Sequence, residues 1–86
     1  MAKLPAVSGA ELVRVLERLG FQVLRQRGSH IVVQKREANR TLTTVVPNHK
    51  ELAKGTLHTI LKKIQLSPEE LTRLLTLIVG ISHLPR

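Results

Sequence analysis

The sequence predicts an α+β domain: a helix, three antiparallel strands, a second helix on the same face of the sheet, and a short C-terminal helix. Three observations carry this. Apolar residues recur at helical spacing in three separate stretches, two short β-prone runs meet at a Gly-Ser pair, and a third run rich in β-branched residues follows them.

The first helix opens at Ser8-Gly9-Ala10-Glu11, a capping box in which Ser8 and Glu11 each satisfy a backbone N–H of the other. Leu12, Val13, Leu16 and Leu19 make its apolar stripe, and Gly20 supplies the stop. Phe21–Arg27 and His30–Lys35 read as strands around the tight turn Gly28-Ser29. A polar turn over 36–40 leads to a third strand, Thr41–Val46, ended by Pro47-Asn48. After a basic loop, Leu57, Ile60, Leu61 and Ile64 mark the second helix, with Lys62 and Lys63 near its negative end. Ser67-Pro68-Glu69-Glu70 starts the third: Ser67 caps, Pro68 takes the first helical position, and Glu70 is placed to close a box. Leu71, Leu74, Leu75 and Ile78 carry its apolar face, and Gly80 ends it.

The 86 residues form a single domain, 1–86, with its core in about 8–75 and a C-terminal extension over 76–86. With one Phe and neither Trp nor Tyr, the interior has to be aliphatic. The absence of cysteine excludes disulfides and thiolate metal sites and is compatible with a reducing cytoplasm. Met1–Ser8 holds no apolar h-region of a signal peptide, and Leu74–Leu84 is too short and too interrupted to span a bilayer, so no membrane partner is expected. Aspartate is absent, which argues against a two-metal carboxylate centre, and the four histidines form no zinc pattern; neither metal nor cofactor is expected.

Charge is unevenly placed. The net charge is +8, and residues 25–40 hold five Lys/Arg against one Glu. Such concentration suits a polyanion, which binds by releasing counterions. If Gly28 and Ser29 are the turn, Arg27 lies opposite His30, Arg25 opposite Val32 and Leu24 opposite Val33. Alternation then puts Leu24, Ile31 and Val33 on a core face and Arg25, Arg27, His30 and Gln34 on the other. Phe21, Val23 and Val32 fall with the basic set. An arginine-bearing face can hold a phosphodiester, and a histidine at its end can move protons during cleavage of RNA.

At these residues the chain resembles the HicA-type toxins, the mRNA-cleaving halves of bacterial toxin–antitoxin pairs. The resemblance runs from about Ser8 to Leu75. It rests on Leu19-Gly20-Phe21, the Arg27-Gly28-Ser29-His30 turn, Val46-Pro47-Asn48-His49 and Lys54-Gly55-Thr56-Leu57, in that order and spacing. It implies a fold like that of double-stranded-RNA-binding domains, endoribonuclease activity on mRNA in the cytoplasm, and neutralisation by a HicB-type antitoxin. By position the catalytic histidine is His30, with Gly28 making the turn and Ser29 orienting the site or bonding a phosphate. The family often has an aromatic three residues beyond its histidine; here Val33 stands there, at a position expected to face the core.

RNA carries its own nucleophile, the 2′-OH, so one placed base can start cleavage without metal. Histidine, which ordinarily titrates near about 6.5, suits that role. Arg25 and Arg27, with Lys35 or Lys50, would offset charge on the transition state, and water or His49 would protonate the leaving 5′ oxygen. His58 reads as a solvated helix residue and His83 as part of a tail. Without Tyr or Trp to stack bases, recognition should fall mainly on phosphates and 2′-hydroxyls, with loose sequence preference. Two further readings fit the same residues: a non-catalytic RNA-binding module of the same fold, and an interaction subunit whose basic face meets an acidic protein.

Overall fold

The computed structural model describes residues 3–80. The order is α1 (Gly9–Arg18), β1 (Gln22–Arg27), β2 (His30–Arg36), β3 (Thr41–Pro47), α2 (Lys54–Ile64) and α3 (Pro68–Val79). This is the expected α-β-β-β-α arrangement with a further helix, although at 12 residues α3 is the longest helix rather than a short one.

Each boundary has a local cause. Ser8 Oγ accepts from the Glu11 N–H at 3.0 Å while Glu11 accepts from the Ser8 N–H at 2.9 Å, the reciprocal box that starts α1. At its other end the Gly20 N–H donates to Glu17 and the Phe21 N–H to Leu16, a Schellman closure that needs Gly20 at φ +100°. It also seats Phe21, 5% exposed, beneath the sheet and against the core. Helix α2 closes in the same way through Gln65 and Leu66, but Gln65, at φ 61°, carries a side chain in the left-handed region. In α3 Ser67 accepts from the Glu70 N–H, as its spacing implied. The Glu70 carboxylate pairs with Arg73 one turn on and does not close a box.

The three strands form one antiparallel sheet in the order β1-β2-β3. The β1–β2 loop is the two residues Gly28 and Ser29, with Gly28 at φ +53° and Ser29 at negative φ, the pattern of a type II′ turn. Arg27 pairs with His30 and Arg25 with Val32, as alternation required. The next pair is Val23 with Val33, because a bulge between Val23 and Arg25 inserts Leu24 as an extra residue. Leu24 therefore leaves the core face where strict alternation placed it and stands 48% exposed. Val23, though paired with buried Val33, is 42% exposed, since β1 is an edge strand exposed along its whole length.

Ile31 and Val33 of β2, with Thr44 and Val46 of β3, make the buried face of the sheet. Leu12, Val15 and Leu16 of α1, Leu57, Ile60 and Leu61 of α2, and Leu71 and Leu75 of α3 complete the same core. Helices α1 and α2 thus lie against the strands and α3 packs on α1, all three sharing one core driven by burial of aliphatic surface. Residues 76–79, assigned to the extension, form the last turn of α3, with Ile78 and Val79 packed on the core. Gly80 of that extension caps α3, and 81–86 lie outside the described residues.

Candidate functional site

The uncovered face of the sheet is organised in rows across the strands. Nearest the turn, Arg27, His30 and Pro47 pair side by side. The next row is Arg25, Val32 and Val45, with bulged Leu24 beside it; beyond lie Gln22, Gln34 and Thr43, then Arg36 and Thr41. No carboxylate stands in any of these rows. Successive rows are two residues apart, about 6.8 Å.

His30 is exposed at the first position of β2, with the Arg27 guanidinium stem across the turn, and its ring has no hydrogen-bond partner among the described residues. The turn beneath it is held from two sides. Gln26 Nε2 donates to the Gly28 carbonyl at 3.3 Å, and the Asn48 N–H donates to the Ser29 carbonyl at 2.6 Å. Asn48 is held in turn by α1. The Gly9 N–H donates to the His49 carbonyl at 2.9 Å, and a Cβ at Gly9 would fall 2.0 Å from the Pro47 carbonyl oxygen. The Leu52 N–H donates to the Val7 carbonyl at 2.8 Å, fixing the other end of the loop that carries His49 and Lys50, both exposed. His30, Arg25, Arg27, Gly28 and Ser29 thus share one end of the sheet with the loop of His49 and Lys50.

Lys35 is not part of this group. Counted along β2 it shares the parity of Ile31 and Val33, on the helix-covered face. Its Nζ lies 3.7 Å from Glu37 and 6.0 Å from the centre of the Phe21 ring. The Arg40 hydrogen bond, with Lys35 adding to it, holds the Glu37 carboxyl below its usual range, so the two cations share one carboxylate. Arg36, by contrast, lies on the open face with His30. The same alternation that found Arg25 and Arg27 would have found it by counting His30, Val32, Gln34, Arg36.

Among the described residues no group of three His, Cys, Asp or Glu side chains could hold a metal ion, and no helix is long and apolar enough to cross a membrane. A solvent-open imidazole beside guanidinium groups, on a sheet face whose rows hold no carboxylate, can bind a phosphodiester and accept a proton from a neighbouring hydroxyl.

The described residues form a small α+β domain with a histidine-bearing turn at one end of a cationic sheet face. The sequence model of the HicA toxin of bacterial toxin–antitoxin systems matches residues 9–66, from the first residue of α1 to just beyond α2. The chain belongs to the HicA toxin family. No curated protein and no solved structure matches it.

Proposed function

We propose that this toxin is an mRNA interferase: an endoribonuclease of a type II toxin–antitoxin pair that arrests growth by cutting mRNA in the cytoplasm, with His30 as its base. The observation that carries the reading is the position of His30, exposed and unbonded among the described residues at the end of a face that holds Arg25 and Arg27 and no carboxylate. His30 takes the proton of a ribose 2′-OH. The 2′ oxygen attacks the adjoining phosphorus, the bond to the 5′ oxygen breaks, and water or His49 returns a proton to that oxygen. The products are a 2′,3′-cyclic phosphate and a 5′-hydroxyl, and no metal is required. Arg25 and Arg27 offset the charge that gathers on the phosphorus oxygens. Ser29 and Lys50 border the same end of the sheet and hold the strand there. DNA lacks the 2′-OH and resists.

The partner implied by the family is a cognate antitoxin. A HicB-type protein carrying acidic groups would neutralise the toxin by covering this face.

The test is incubation of the protein and its His30→Ala variant with RNA in excess EDTA, alongside thermal melts of both. Cutting by the parent alone, with RNA still bound by a folded variant, supports the reading. Equal cutting by both, or none by either, removes it.

A further inference from the structure

A cavity of about 340 Å³ opens on the uncovered sheet face, lined by Gly20, Gln22, Leu24, Gln34 and Arg36. Its walls differ in chemistry from the His30 end. Leu24 is the residue turned outward by the β1 bulge, and its exposed side chain continues an aliphatic strip through Val32 to Val45. Bulges redirect side chains in this way, here at the cost of leaving a leucine in water. Gln34 Nε2 donates to Thr43 Oγ1 at 3.0 Å, which fixes the amide and leaves its carbonyl oxygen without a partner among the described residues. The Gln22 amide and the Arg36 guanidinium are exposed and likewise unpaired among the described residues.

From turn to far end the face offers Arg27 and His30, then aliphatic surface beside Arg25, then amides, and last the Arg36 guanidinium. That sequence matches a nucleotide strand laid across it, with phosphate on the cations, a ring face on aliphatic carbon and a base edge on the amides. We propose that the cavity is a nucleobase pocket for the RNA strand cut at His30. Leu24 lies against one face of the ring, Arg36 over the other, and the Gln22 and Gln34 amides read its edge. An arginine plane over an aliphatic floor takes the place of the aromatic platform this chain lacks. Gln34 is four residues along β2 from His30, about 13 Å, so the pocket takes the base of a neighbouring nucleotide and not that of the ribose being cut. Two glutamine amides at one position give a single point of base preference, since amide groups match the donors and acceptors of a base edge. The inference rests on the RNA-cleaving reading of the face.

The test uses the full chain carrying His30→Ala, which keeps RNA intact, and fluorescent RNA homopolymers of uridine, adenosine and cytidine with an abasic ribose-phosphate strand of equal length. The homopolymers should differ in affinity by roughly tenfold between the tightest and the weakest, with the abasic strand weaker than all. Adding Gln22→Met and Gln34→Met should collapse these differences and leave abasic binding unchanged. Arg36→Ala, at an exposed position, should lower every homopolymer relative to the abasic strand and serves if the double variant does not fold. Equal binding of all strands, base preference that survives the double glutamine substitution, or an Arg36→Ala variant that weakens the abasic strand as much as the homopolymers, overturns the pocket. So does loss of antitoxin binding with base preference intact, which would make the cavity a protein contact. The chain with His30 intact separates the two ideas. Cutting of all homopolymers at one rate overturns the pocket alone, whereas absence of any His30-dependent cutting removes the enzyme and the pocket with it.

Discussion

The backbone N–H of Gly9 meets the carbonyl of His49 at 2.9 Å, and there is no space between Gly9 and the Pro47–Asn48 backbone for a side chain. The start of α1 is thereby laid directly on the exit of β3, one hydrogen bond away from the turn that carries His30. A contact remote in sequence from the turn fixes where the imidazole stands.

Gly9→Ala should accordingly be among the costly small substitutions in the chain. Its Cβ has to displace backbone rather than a side-chain tip, a type of overpacking that costs about 1–3 kcal/mol. Urea unfolding should show the loss. At temperatures where the variant remains folded, cleavage should fall further than that of an equally destabilised core variant such as Ile60→Val, because Asn48 no longer holds the turn.

Arg27 and Lys35 separate the two faces. Arg27→Ala should weaken RNA binding across sequences and reduce the slope of log affinity against log salt by about one. Lys35→Ala should leave that slope unchanged, because its ammonium lies by Glu37 and Phe21 on the other face. Equal salt slopes for the two variants would place both cations, or neither, against the phosphates.

Leu24 offers a direct check of the bulge. With its side chain outward, Leu24→Ala should change unfolding free energy by less than about 0.5 kcal/mol. Leu16→Ala, at a position with no exposed surface, should cost about 2–5 kcal/mol. A cost at Leu24 comparable to that at Leu16 would mean that the strand is paired without the extra residue.

Gln65→Gly should stabilise the protein by up to about 1 kcal/mol. Gln65 alone among the described non-glycine residues has positive φ, and glycine relieves that strain while keeping the closure of α2. Thermal denaturation is sufficient to see it.

Acid should weaken the fold through Glu37 and Glu70. Both carboxyls are held below their ordinary range, Glu37 chiefly by its hydrogen bond from Arg40 and Glu70 by that from Arg73. Their folded values lie below the unfolded ones, so the contribution is complete above the unfolded carboxylate range and disappears as pH falls through the folded values. Both pairs are open to water, so salt should diminish the effect. Urea midpoints followed from neutral pH into the acid range should decline less steeply in Glu37→Gln and Glu70→Gln than in the parent.

Much of the architecture can be read from local chemistry. The Ser8–Glu11 box, the Gly28-Ser29 turn and the Ser67-Pro68 start are each encoded within four residues, and the apolar stripes of α1 and α2 occupy the core positions their spacing implies. The Leu24 bulge is not readable in this way. Alternation assumes one residue per pleat, and nothing in Val23-Leu24-Arg25 announces an insertion that depends on how β1 meets β2. Charge alone groups Lys35 with the basic surface, although its parity with Ile31 and Val33 places it on the helix-covered face. At Glu70 the nearby Arg73 competes successfully for a carboxylate that the spacing alone would send back to the cap.

All three helices gather on one side of the sheet, so nearly every residue the fold depends on is separated from those that meet the outside by a single layer of backbone. Residues on the open side are then free to drift without consequence for folding. A domain built this way can change what its open side meets, one surface substitution at a time, and keep its interior.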